Sequence, residues 1–254
     1  MTIAVEQLDV GLPQRRSTLG WLVTPAVLLV VLVGLWAYVS SRTLDSIEER
    51  RVNLPFIAQA AGEHVLLTAV STVLVLVIAV PVGILLTRPF AARITGPAVA
   101  VFNIGQAIPS IGVLVLLAIA WGIGFWPAVV ALVLYSALPV LRNTMIGLQQ
   151  VDDAVIESGR GMGMSKLGVL RRIELPLAVP VILTGLRTAL VINVGSATLA
   201  SLVNAGGFGG IIITGLVQNR QLVTIVGSVL TAVLALLIDY LGRLAEEVLK
   251  PKGL

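Results

Sequence analysis

An all-α, polytopic integral membrane protein with about six transmembrane helices is what this sequence predicts, and three observations carry the prediction. Of 254 residues, 57% are hydrophobic and 12% charged, whereas a soluble domain carries about 25% charged residues. The mean hydropathy is +1.02, so too little polar surface exists to cover a globule, and lipid must serve as solvent. The apolar residues fall in long runs separated by charges. Hydrocarbon offers no partners to an open backbone, so each run must close its hydrogen bonds as helix.

The first run, Leu19–Val39, follows Arg15 and Arg16. Twin arginines before an apolar run suggest an export signal, but the run exceeds the roughly 7–15 residues of a signal core and reads as an uncleaved anchor. Ser40–Glu63 mixes arginines with acids and contains Asn53-Leu54-Pro55-Phe56; it reads as a short surface helix or loop on the outer face. The second span is Val65–Thr87, with Glu63 and His64 as interfacial groups at its outer end. The third, Pro97–Trp121, contains Pro109, which frees a carbonyl and kinks a helix. Phe125–Leu141 is the shortest span. Leu177–Val203 and Leu222–Leu241 complete the set, with Arg187 and Asp239 near their inner ends, within snorkelling distance of water.

Basic residues set the orientation. With the N-terminus inside, the inner segments carry Arg15, Arg16, Arg88, Arg93, Arg142, Arg160, Lys166, Arg171, Arg172, Arg187, Arg243, Lys250 and Lys252. The outer segments carry only Arg42, Arg50, Arg51 and Arg220. Both termini are therefore cytoplasmic. The organisation reads as an N-terminal part, 1–60, holding the first helix and the outer segment; one membrane domain, 61–249, containing a cytoplasmic loop at 152–176; and a tail, 250–254.

The chemistry of an enzyme is absent. There is no cysteine and a single histidine, His64, so thiol chemistry, His-based metal sites and His-dependent triads are not expected. The glycines near Lys166 do not make a P-loop. Counting from Gly159 or Gly161, the required second glycine falls on Met164 or Lys166, and no strand precedes them. No catalytic residue, metal ligand or cofactor is assigned to this chain, and its charge does not point to nucleic acid. The spans lack the buried ionisable groups that ion-coupled transporters use. The chain needs an energy source it does not contain.

The polar segment Val155–Pro176 interrupts this apolar chain. Asp152 is a helix N-cap with Asp153 in the first turn. Gly159, Gly161 and Gly163 weaken helix and place a turn near Gly163. A second helix, about Ser165–Glu174, carries Leu167, Leu170 and Ile173 at helical spacing, and Pro176 ends it and redirects the chain into the fifth span. The result is a helix–turn–helix elbow under the membrane, either a docking surface or a connecting loop.

Glu157, five residues, Gly163, nine residues, then Ile173-Glu174-Leu175-Pro176 resembles the "EAA" loop of membrane subunits of ATP-binding-cassette importers. Ser158 and Gly159 stand where that pattern has alanines. The stretches Gln106–Ile119, Leu138–Asp152 and Ile192–Leu216 are similar to permeases of the osmoprotectant branch, and the resemblance covers roughly Ala61 to Leu249.

The resemblance implies a type I importer permease core in a bacterial cytoplasmic membrane. It implies import of glycine betaine, choline, carnitine or a related amine, or of another small polar solute such as an amino acid. Its implied partners are two ATPase subunits carrying Mg-ATP, a second permease copy or a homologue, and a periplasmic or lipid-anchored solute-binding protein. Coupling to the ATPase would run through Glu157, Ser158, Gly159, Gly163, Ile173, Leu175 and Pro176. The rival is a self-sufficient secondary transporter.

Two spans carry polar stripes suited to a pathway. Asn103, Gln106 and Ser110 sit at i, i+3 and i+7 around Pro109; Asn193, Ser196, Ala200 and Asn204 recur likewise. Each stripe reads either as pathway lining or as hydrogen bonding between packed spans. The Gly-rich run Asn204–Gly210 reads as a turn, a flexible outer gate or a close-packing site, the first two being favoured. Of twelve aromatic residues, several lie at interfaces as an anchoring belt, so no tight aromatic cage for a quaternary amine is expected.

Overall fold

The structure is a computed structural model describing Thr18–Leu249, with side chains from Trp21 to Val248. Arg15, Arg16, Lys250 and Lys252 lie outside the described residues. The described chain is helical: α1 (Thr18–Ser40), α2 (Ser46–Arg51), α3 (Leu54–Leu86), α4 (Ala92–Ala107), α5 (Ser110–Trp121), α6 (Phe125–Gln149), α7 (Asp153–Gly161), α8 (Lys166–Val169), α9 (Leu175–Ala197), α10 (Gly209–Val217) and α11 (Gln221–Leu249). Five helical stretches are long and apolar enough to cross a membrane, and the bent pair formed by α4 and α5 makes up to six spans.

The outer segment Ser40–Glu63 is mostly helical. Asp45 caps α2, its Oδ1 accepting from the Ile47 and Glu48 backbones at 2.9 Å while Glu48 reaches back to the Asp45 N–H. Those backbone bonds, the Glu48 N–H first, hold the Asp45 carboxyl below its ordinary range. Arg220, near the start of α11, pairs with the other Asp45 oxygen at 2.9 Å and ties two outer segments together. Asn53 then caps α3, accepting from Phe56 N. Pro55 costs nothing in a first turn, where its missing N–H would have no partner. The second span therefore starts eleven residues before Val65, in a helix of 33 residues.

The third span is not one kinked helix. α4 and α5 meet at 93°. Ile108 is extended (φ −71°, ψ 134°), the conformation that a following proline's ring imposes, and Pro109 supplies no N–H to carry the helix on. Ser110 therefore begins a new helix and does not share a face with Asn103 and Gln106.

The shortest expected span proves to be the centre. α6 runs 25 residues, and Ala128, Val129, Val140 and Leu141 are completely buried. α3, α9, α4 and α5 all pack on it. Close approach is built in by small residues, as membrane helices require. A Cβ on Gly147 would touch the Ala178 carbonyl at 3.0 Å, and one on Gly185 would stand 2.6 Å from Asn143 Cβ. α1 packs on α11, with Trp21 edge-on to Tyr240 at 6.4 Å, and otherwise exposes apolar side chains such as Leu22, Leu29, Val30 and Trp36.

Reporter fusions test the threading. Fusions after Val151 and at the C-terminus are expected to report cytoplasm, and those near Arg51 and Gln218 the outside. A cytoplasmic signal near Arg51 would remove the six-span arrangement.

Candidate functional site

The elbow begins as the sequence predicts. Asp152 Oδ1 accepts from Ala154 N at 2.8 Å, and α7 follows. It ends at Gly163, whose φ is +86°. Gly163 N donates to Arg160 O at 2.9 Å and Met164 N to Gly159 O at 3.2 Å. These are the paired bonds of a Schellman turn, which closes a helix through a left-handed residue. Ser165 caps α8, its Oγ accepting from Gly168 N at 3.1 Å.

Beyond Ser165 the structure departs from expectation. The chain does not stop at Pro176. Leu170–Glu174 is a π-helical turn, with Leu175 N donating to Leu170 O, and it runs directly into α9. Pro176 falls in the first turn of α9. A wider turn needs no bond from the missing Pro176 N–H to the preceding turn, so the helix passes through a residue that would otherwise break it. The elbow is thus helically continuous with the fifth span.

The residues that the resemblance marks for coupling divide by position. Glu157 and Ser158 are exposed on α7, and the Ser158 hydroxyl is returned to Ala154 O at 2.7 Å. Gly159 is buried against the second half of the elbow; a Cβ there would lie 2.5 Å from Ile173 Cδ1 and 3.6 Å from Val169 Cγ2. Gly163 is exposed at the turn. Ile173, Leu175 and Pro176 are half-buried, and Leu175 with Leu170 packs on Leu148, Ala178 and Ile182. A cleft of about 360 Å³ separates part of α7 from the inner ends of α3 and α6, with Glu157, Arg160, Arg88 and Gln149 among its walls.

The sequence did not reveal what holds the elbow to the rest. Arg88, just past α3, pairs through both terminal nitrogens with Glu174, the Nη1–Oε1 distance being 3.2 Å. Glu174 is 4% exposed. The partners lie 86 residues apart, beyond any local pattern. Arg187 and Asp239, read singly as interfacial charges, also pair, and Asp239 takes Arg243 at 2.7 Å. This network joins α9 to α11.

The polar stripes separate into different roles. Asn103 Oδ1 accepts from Arg142 Nη2 at 2.8 Å, linking α4 to α6. Gln106 is half-buried one turn on, and Pro109 is exposed at the break. Ser110 and Ser196 meet across a cleft whose wall includes Tyr135 of α6. At about 10 Å³, it has room for about one water molecule and is closed to any solute. Asn193 lies on the contact between α9 and α3. It is completely buried and donates to Thr72 Oγ1 at 3.0 Å, so it binds α9 to α3. Such bonds contribute about 0.6 kcal/mol on average between membrane helices.

The second stripe is also broken, because Thr198–Val203 is a 3-10 turn that ends at Asn204 with φ 57°. The Gly-rich run that follows is both turn and close-packing site. Gly206 and Gly207 each have φ +86°, and Gly207 N donates to Glu63 Oε2 at 3.0 Å. Phe208 N donates to His64 Nδ1 at 3.3 Å, so the proton sits on Nε2, which donates to Val194 O at 2.9 Å. His64 is completely buried and is a three-way clasp, not an interfacial group.

The chain is a helical membrane domain with an elbow continuous with its fifth span and a broken span beside a closed cleft. The family described as binding-protein-dependent transport system inner membrane component matches residues 79–250, and this chain belongs to it. It is a multi-pass protein of the cytoplasmic membrane and a translocation subunit. The glycine betaine/carnitine/choline transport system permease protein OpuCB of Bacillus subtilis is 40% identical over 76% of this chain and 88% of its own length. The osmoprotectant import permease protein OsmY of Salmonella typhimurium is 39% identical over 84% of this chain and 89% of its own. Among solved structures, an inward-facing MetNI methionine ABC transporter superposes with a TM-score of 0.69 at 28% identity, covering 79% of this chain and 100% of that one.

Proposed function

We propose that this chain is the translocation subunit of an ATP-driven importer for a small quaternary-amine osmoprotectant such as glycine betaine, choline or carnitine. The observation that carries the substrate class is the likeness, at about 40% identity over three quarters of the chain, to relatives named for those solutes. The energy comes from two ATPase subunits holding Mg-ATP, since no P-loop is present here. α7 presents Glu157 and Ser158 to them, with Gly159 and Gly163 shaping the helix and its turn, and Ile173, Leu175 and Pro176 joining it to α9. A second copy or a homologous permease completes the pathway, and a periplasmic or lipid-anchored solute-binding protein delivers the solute.

Within this chain the pathway runs past Asn103, Gln106, Pro109, Ser110, Asn193, Ser196 and Asn204, with Asn193 also tying α9 to α3. The α4–α5 break exposes backbone groups, which are tolerated at membrane depth only where they are buried in protein or line a cavity. Tyr135 lines the same cleft as the two serines and is an aromatic group that a quaternary ammonium could meet there, a single contact and not a cage.

The test is purification from native membranes, identification of the attached subunits, and uptake by proteoliposomes. Labelled glycine betaine, choline and carnitine are expected to enter only with ATP inside and loaded binding protein outside. Gln106→Leu is expected to lower uptake at least fivefold with assembly intact. Uptake driven by an ion gradient without any ATPase overturns the reading, and ATP-driven uptake of methionine with no amine uptake overturns the substrate class.

A further inference from the structure

We propose that the Arg88–Glu174 pair is the strut that carries movement of the cytoplasmic elbow into α3 and the broken span, a positioning role for both residues in transport. The inference rests on the importer reading above and adds the path that movement takes inside this chain.

Outside the elbow, α7 is weakly held. The cleft of about 360 Å³ lies between part of α7 and the inner ends of α3 and α6, and α7 packs on α8 and on the π-turn. A push on α7 therefore enters the elbow first. Gly159 is seated on Ile173 and Val169, so the two halves move together. Ile173 is followed by Glu174, a buried residue whose carboxylate takes both Arg88 terminal nitrogens. A two-point pair fixes orientation as well as distance. Glu174 is buried although it borders the cleft with Arg88, so removing Arg88 leaves a mostly desolvated carboxylate without its partner, which is unfavourable.

The other end of the strut is equally fixed. Arg88 Nε donates to Ile84 O at 3.2 Å, so the guanidinium also closes the last turn of α3. Pro89–Ala91 then forms a 3-10 turn into α4. Thr95 of α4 donates back to Leu86 O at 2.9 Å. The route from Gly159 through Ile173, Glu174 and Arg88 to α3 and α4 is thus continuous, and it ends on the helix that breaks at Pro109. Apolar packing of Leu170 and Leu175 on α6 and α9 joins the elbow to other helices, but the pair is the polar tie between the elbow and α3.

The test uses the full complex with its ATPase, in proteoliposomes with labelled glycine betaine. Glu174→Gln keeps shape and one acceptor oxygen while removing the charge. The expected result is a complex of unchanged composition, hydrolysis stimulated by loaded binding protein within twofold of wild type, and uptake lowered tenfold or more. Equal falls in uptake and hydrolysis, or no fall in either, overturn the strut.

A second variant covers a failure of assembly. This chain has no cysteine, so within it Arg88→Cys with Glu174→Cys can be bridged selectively by a flexible bis(methanethiosulfonate) reagent about as long as the two side chains, each cysteine thiolate displacing methanesulfinate as its disulfide bond forms. The bridged protein is expected to recover uptake relative to its unbridged form; failure to recover overturns the proposal. Wild-type complex runs beside each variant. If it moves no labelled amine on ATP, the proposed function, in its importer reading or its substrate class, is what has failed and not the strut.

Discussion

Gly163→Val is expected to lower uptake at least tenfold while the spans remain inserted and α7 remains helical. The reason is conformational. Gly163 holds φ +86°, and nothing lies within 4 Å of where its Cβ would be, so valine meets no obstacle. It meets a backbone region that costs an L-residue about 1–2 kcal/mol, with a β-branched side chain the worst suited. Relief requires the residue to leave the left-handed region. That breaks the Gly163–Arg160 and Met164–Gly159 bonds and re-aims α7 relative to α8.

Three companions separate this account from general damage. Gly161→Val also enters open space but has no positive φ, so it should cost only helix propensity and keep most uptake. Gly163→Asn, which tolerates the left-handed region, should sit between the two. Glu157→Lys, on the exposed face of α7, should lose uptake through weak docking with the turn intact. The measurement is uptake beside co-purified ATPase and its stimulated hydrolysis. Normal values for both Gly163→Val and Glu157→Lys would reduce the elbow to a connecting loop.

What the sequence revealed and what it hid follow a physical division. The spans are written in runs of apolar residues, because each must satisfy lipid along its own length. The Asp152 cap and the Gly163 turn are local bonds between residues a few positions apart, so they were legible too. The π-turn before Pro176 was not. Whether a proline ends a helix or is absorbed by a wider turn depends on packing of Leu170 and Leu175 against α6 and α9, which no local pattern carries. The 93° break at Pro109 was read as a kink for the same reason.

The buried polar contacts were the least legible. Arg88–Glu174, Asn193–Thr72 and the His64 clasp join residues 86, 121 and at least 130 positions apart. Each partner taken alone looks like an interfacial charge or a pathway group. One signal was available for Glu174: an acid beside Pro176 at the foot of a membrane span calls for a basic partner, and Arg88 ends another span on the same side.

The outer loop gives the second large effect, and neighbouring glycines make its control. At Gly209 a Cβ would overlap the Thr198 carbonyl oxygen and stand 2.5 Å from Ser201 Oγ. A hydroxyl can rotate away, but a backbone carbonyl in the 3-10 turn cannot. At Gly210, one position on in the same first turn of α10, a Cβ meets nothing within 4 Å. Gly209→Ala is therefore expected to destabilise the protein by about 1–3 kcal/mol, the range of overpacked cores. It should also loosen the loop from Glu63 and His64, because α10 must shift outward to make room. Gly210→Ala should be neutral or stabilising by up to about 1 kcal/mol, since alanine is the better helix former. Thermal unfolding of the purified protein in detergent reads the difference directly, with the Gly209 variant melting several degrees lower and the Gly210 variant no lower than wild type. Equal midpoints for the two would mean that the loop does not rest on the 3-10 turn, and the seating of Gly207 and Phe208 on α3 would fall with it.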